Sequence, residues 1–148
     1  MTIWIVEDDP LQAEGIEKVL RDAFPKAAIT LIKTESGFRS SFQAIAKTAD
    51  SVIILDVMLR WSDVDTRTPR PEDVRKGGVQ RAGLRCQRML ASDSRTKHLP
   101  VILYTVLEQH VDLDDELADL PKNVRYLNKA SDENQLVKLV RDLSSGRR

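Results

Sequence analysis

Six side chains have the types and positions to do chemistry together: Glu7, Asp8, Asp9, Asp56, Thr105 and Lys129. "TIWIV" runs into Glu7, "SVIIL" into Asp56, "PVILY" into Thr105, and "NVRYL" stops two residues before Lys129. Clustered carboxylates repel unless a cation neutralises them, and hard oxygen donors suit Mg2+. A carboxylate beside that cation can attack phosphorus and become an aspartyl phosphate. An ammonium would offset charge on the transferring group, and a hydroxyl could bond a phosphoryl oxygen and register its presence. Each signal alone is commonplace, because acids at strand ends cap helices and threonine fills strands. Asp56 is the sharpest, since a carboxylate flanked by apolar residues is costly to bury unless something pairs with it.

These residues need a frame that brings strand ends together. The runs 2–6, 27–32, 51–55, 100–104 and 123–127 read as strands, three of them nearly continuous in Ile, Val and Leu, as in a parallel sheet covered on both faces. Helical spacing lies between them: Leu11, Ile16, Val19 and Leu20 in 10–22, Phe38, Phe42 and Ile45 in 36–47, and Leu84, Met89 and Leu90 in 80–91. The acid-rich stretch 106–120 predicts a short helix closed by Pro121, and 131–143 predicts a fifth helix with Ser131 as its N-cap. Strand alternating with helix predicts an α/β fold with a doubly wound, five-stranded parallel sheet of flavodoxin-like order 2-1-3-4-5. In such sheets ligands bind beyond the carboxyl ends of the strands, where all six residues fall. Residues 1–148 read as one domain, with 144–148 as a frayed tail. The stretch 60–78, with two prolines, paired glycines and nine charged residues, is too long for an ordinary connection. It reads either as a solvated insertion or as a cover for the Asp56 edge, with Trp61 as its apolar anchor.

Composition narrows the function. Lys plus Arg and Asp plus Glu are equal at 23 each, and no basic patch argues for direct nucleic-acid contact. No apolar run is long enough to span a membrane, and the opening "TIWIV" reads as a strand, without the basic segment, long apolar region and cleavage site expected of a signal peptide. With a single cysteine, Cys86, read as a packing residue, the expected location is cytoplasmic. His98 and His110 read as surface residues.

The motifs resemble the receiver domain of two-component response regulators along residues 2–143. "IWIVEDDP" resembles the opening strand with its acidic pair, and "VIILDVMLRW" the strand that ends in the phosphoacceptor. "HLPVILYT" resembles the switch strand, and "VRYLNKA" the last strand with an aromatic before the lysine. The resemblance implies phosphorylation of Asp56 by a sensor histidine kinase or phosphotransfer protein, assisted by Lys129 and Thr105. Mg2+ would be held by Glu7, Asp8, Asp56 and the backbone carbonyl of Met58. Asp9 would instead cap the first helix. Thr105 and Tyr126 would form the switch pair, and the face from strand 4 to the fifth helix would bind a downstream protein or a second copy in a homodimer.

Three departures stand against the family pattern: Ala130 where a proline usually follows the lysine, Val106 where a smaller residue follows the switch threonine, and the insertion, which leaves Gly83 as the remnant of a short loop. They favour an alternative, a pseudo-receiver that binds partners without phosphorylation. A phosphohydrolase is disfavoured because Met58 stands where such enzymes carry a second acid. The expected role is therefore a signalling module in a phosphorelay and not an enzyme that turns over a substrate.

Overall fold

A computed structural model describes residues 1–63, 67–108 and 113–146. Five strands form one parallel sheet: β1 (Thr2–Val6), β2 (Ala28–Ile32), β3 (Ser51–Leu55), β4 (Val101–Thr105) and β5 (Val124–Asn128), in the order β2-β1-β3-β4-β5. This is the expected flavodoxin-like arrangement. Pro100 stays just outside β4, where its carbonyl accepts from Ile53 N; a residue without an N–H fits the strand entrance better than its interior.

Period-two alternation splits the sheet into two cores. Trp4, Val6, Ile53, Leu55 and Leu103 face helices α2 (Glu35–Ala46) and α4 (Ala82–Ser92). Ile3, Ile5, Val52, Ile54 and Ile102 face α1 (Pro10–Ala23) and the C-terminal helix α6 (Glu133–Ser145). All five residues of β3 are buried, so the element that delivers Asp56 is the most deeply anchored in the sheet along with β4. Burying each Ile, Val or Leu side chain is worth about 1.5–3 kcal/mol.

Helix α1 starts as expected, with Asp9 Oδ1 accepting from Leu11 N and Gln12 N and with Pro10 in the first turn. Leu11 does not join its inward face: it is 81% exposed, and Ala13, Ile16 and Leu20 carry that face instead. A five-residue step to Ile16 rotates Leu11 well off the stripe that three- and four-residue steps maintain. The cap of α6 is Asp132, which accepts from Asn134 N, and not Ser131, whose N–H closes the preceding turn on Asn128 O. The same helix runs through Ser145, so two residues assigned to a tail are helical.

The segment 60–78 holds a helix of its own, α3 (Glu72–Gly77), followed by a short 3-10 turn at Val79–Arg81. Gly78 ends α3 at φ +67°, a left-handed conformation that favours glycine. Trp61 is buried as the expected anchor, its indole N–H donating to Thr68 O at 3.1 Å and the Arg39 guanidinium lying 5.3 Å from its ring centroid. In the acidic stretch the described helix, α5, covers only Asp114–Leu117. The rest of the helix expected in 106–120 at residues 109–112, and the reading of His110 as a surface residue, fall outside the described residues. His98 is exposed and Cys86 is buried, where desolvation pushes its thiol far above the ordinary value. Among the described residues no helix is long and apolar enough to cross a membrane.

Candidate functional site

At the carboxyl edge, β1 hands the chain to Glu7, whose N–H still bonds Ile32 O, and β3 hands it to Asp56, whose N–H bonds Val6 O. The two carboxylates are thus fixed by the sheet ladder itself. Lys129 arrives from β5, and its N–H donates to Thr105 O at 2.9 Å. Its ammonium donates to Asp56 Oδ2 at 2.7 Å, to Gln12 Oε1 at 2.6 Å and to Glu7 Oε2. Asp56 Oδ1 accepts from Met58 N at 3.1 Å, and Glu7 Oε1 accepts from Asp9 N at 3.0 Å.

Asp8 points to a different cation. Its Oδ2 accepts from Arg60 N at 2.9 Å, and its main-chain carbonyl accepts from Arg60 Nη2 at 2.6 Å. Glu7, Asp8, Asp9, Asp56, Met58 and Lys129 line one cleft of about 310 Å³, together with Gln12, Arg60, Val79 and Val106. Asp56 lies at its floor, 7% exposed, and Val106 stands at its mouth, 57% exposed. Behind the cleft Gly83 approaches so closely that an added Cβ would lie 2.1 Å from Asp56 O. No side chain can be introduced there without moving the backbone of Asp56 and Val57, which gives the glycine expected at this position its physical reason.

Electrostatics follow from burial. Desolvation raises the Glu7 carboxyl to about 7, aided by the charge on Asp56 and opposed by hydrogen bonds from Lys129 and Asp9 N. Burial pulls Lys129 down, but hydrogen bonds and charges from Asp56 and Glu7 prevail, leaving it above the ordinary lysine value. One ammonium shared by two carboxylates leaves the pair under-neutralised.

Thr105 is wholly buried at the end of β4, and its hydroxyl accepts from Leu107 N at 3.4 Å. The Tyr126 hydroxyl is not left to solvent: it donates to Leu107 O and accepts from Asn128 Nδ2 at 3.1 Å. The two expected switch residues therefore meet the same residue, Leu107, one at its N–H and the other at its carbonyl. Gln12, Arg60 and Asn128 went unpredicted. Gln12 lies one turn beyond the Asp9 cap and could have been placed by helix geometry, whereas Arg60 sits in a stretch with no periodicity to place it.

Among the described residues no three His, Cys, Asp or Glu side chains are arranged to hold a metal ion; Lys129 and Arg60 engage the carboxylates instead. The donor types nonetheless fit a hard divalent cation, since Glu7, Asp8 and Asp56 converge on one cleft in excess of their cationic partners.

No protein-family model and no curated protein matches the chain. Solved structures do. The signal receiver domain of a signal transduction histidine kinase from Syntrophus aciditrophicus is 23% identical, with 99% of this chain and 92% of that chain covered at a TM-score of 0.70. The receiver domain of a sensor histidine kinase from Pseudomonas aeruginosa PAO1, described with a magnesium ion coordinated in its active site cleft, is 18% identical over 97% of each chain at 0.66. A phosphorylated cyanobacterial phytochrome response regulator is 17% identical, covering 97% of this chain and 91% of that one at 0.62. At these identities the likeness establishes the receiver-domain fold.

Proposed function

We propose that this receiver-fold chain is a two-component signalling module that takes a phosphoryl group on Asp56 from the phosphohistidine of a sensor kinase or phosphotransfer protein. The observation that carries this reading is the Lys129 ammonium on Asp56 and Glu7 at the floor of the cleft. An Asp56 carboxylate oxygen would form the new P–O bond as the P–N bond breaks. The imidazole would leave with the bonding pair and return to its neutral form by exchanging protons with solvent. Lys129 would meet the charge spread over the phosphoryl oxygens. Bound Mg2+, held by Glu7, Asp8, Asp56 and the Met58 carbonyl, would supply further neutralisation of that charge.

Thr105 would then turn its hydroxyl from Leu107 N towards the phosphoryl group. Leu107 also anchors the Tyr126 hydroxyl, so the loop and β5 would move together. The surface of β4, α5, β5 and α6 would carry the signal to a downstream protein or a second copy, in the cytoplasm and without catalytic turnover. A second reading, a pseudo-receiver that works unphosphorylated, is favoured by Arg60 on Asp8 and by Val106 at the mouth.

Intact mass after incubation with acetyl phosphate and Mg2+ separates the two. The receiver gains one phosphoryl group, lost in Asp56→Ala and blocked by EDTA, and does not hydrolyse p-nitrophenyl phosphate. No gain in folded protein would support the pseudo-receiver.

A further inference from the structure

Arg60 is held at the cleft more firmly than a loop residue needs to be. Its N–H is on Asp8 Oδ2, its carbonyl accepts from Glu35 N at 3.0 Å, and the next carbonyl, of Trp61, accepts from Ser36 N at 2.8 Å. The backbone of 60–61 is therefore clamped between Asp8 and the first turn of α2, where free N–H groups need acceptors. Trp61 is buried beside it under Arg39. With the backbone fixed on both sides, the side chain starts at the cleft wall, and its guanidinium folds back onto the Asp8 carbonyl. Nη2 lies 2.6 Å from Asp8 O and Nε lies 3.9 Å from Asp8 Oδ2, in the lining of the cleft that Lys129 shares.

The two cations divide the cleft. Lys129 covers Glu7 and Asp56, and Arg60 covers Asp8. We infer that Arg60 is a tethered counter-cation for Asp8 that competes with a divalent ion, so that the inserted segment sets the metal affinity of the cleft. A guanidinium cannot be deprotonated at working pH and cannot diffuse away, so a metal ion must displace its attraction to Asp8 each time it binds. The pair is partly exposed, with side-chain accessibilities of 41% and 27%, so the competition is modest and adjustable and does not block the site. Arg60 is thus a positioning residue for Asp8, and its influence on the acceptor passes through that carboxylate.

This inference rests on the receiver reading only in taking Asp8 as a cation ligand. The test uses Mn2+ as the probe, with the loss of the free aqueous Mn2+ signal in electron paramagnetic resonance counting bound ion. The full chain is compared with Arg60→Gln and Arg60→Lys, each first shown to be folded by thermal unfolding. Arg60→Gln keeps the backbone N–H on Asp8 and removes the charge together with the Nη2 hydrogen bond to Asp8 O, which Arg60→Lys controls for by keeping the charge without the guanidinium fork. Its Mn2+ dissociation constant should fall by up to about fivefold, the range an exposed ion pair can supply. Arg60→Lys should stay near the wild type, and Asp8→Asn should abolish the difference made by Arg60→Gln. Equal or weaker binding in Arg60→Gln, or no Mn2+ binding in any variant, would overturn the inference. Tighter Mn2+ binding in Arg60→Gln without phosphorylation of Asp56 would leave the inference standing and remove only the receiver reading.

Discussion

Two clusters of buried charge among the described residues are built in opposite ways. In the first, Glu35 is fully buried at the start of α2 and accepts from Arg85 at 2.6 and 3.0 Å and from Arg39 at 3.1 Å. Arg39 also reaches Asp73 of α3 at 2.9 Å, and Arg85 caps Gly78 O at 2.7 Å. Two carboxylates meet two guanidiniums, and Trp61 and Gly77 close over them. Only Arg39 Nε and Arg85 Nη1 lack a hydrogen-bond partner among the described buried side chains. In the second cluster, the cleft, Lys129 and Arg60 are the cations that line it beside Glu7, Asp8, Asp9 and Asp56 among the described residues, and the cavity opens to solvent. The balanced cluster staples the insertion to the domain. The unbalanced one still needs positive charge, and that unmet need is what makes it the candidate site.

Removing one charge from each cluster should therefore have opposite effects. Arg85→Met leaves Glu35 buried without its bidentate partner and should destabilise the fold by about 3–5 kcal/mol in urea unfolding. Glu35→Leu/Arg85→Met, with both charges gone, should recover much of that loss. If the single substitution costs less than about 1 kcal/mol, the staple is not what holds the insertion.

Glu7→Gln should act the other way. The folded-state pKa of about 7 lies above the ordinary value of 4.5, so between those pH values the native state binds more protons than the unfolded chain. Wild-type stability in EDTA should accordingly decline as pH rises from about 4.5 to 7. Lys129, raised above its ordinary value, stays protonated across that window and does not alter the sign. Glu7→Gln removes the decline and should be the more stable protein at pH 8, by roughly 1–3 kcal/mol. Parallel pH–stability curves for the two proteins would show that the cleft is neutralised after all.

The contrast also explains which parts were legible in the sequence. Strand ends announce themselves, because a run such as "SVIIL" followed by Asp56 combines burial with a charge that burial penalises. Thr105 and Lys129 were legible only by position, as a hydroxyl ending one apolar run and an ammonium just after another, and the strand order followed from alternation of elements. Glu35 and Arg85 were not, since their partnership spans 50 residues and neither position breaks a local pattern. Leu11 misled because an apolar residue in a first helical turn looks like part of the stripe until the helix phase is fixed by Ala13, Ile16 and Leu20. The insertion hid its helix α3 behind prolines and charges that read locally as loop, and it is held by tertiary ion pairs that no periodicity reveals.

Backbone amide spectra of the 15N-labelled protein, recorded with Mg2+ before and after addition of beryllofluoride as a phosphoryl mimic, test the contrast most directly. The account predicts shifts at Met58 and Lys129, which line the Asp56 cleft, and at Thr105, Leu107 and Tyr126, which are joined to it through the Lys129 N–H on Thr105 O and the bonds at Leu107, with the amides of Arg85 and Arg39 unmoved. An unchanged cleft, or shifts centred on the Glu35–Arg85 cluster, would contradict it.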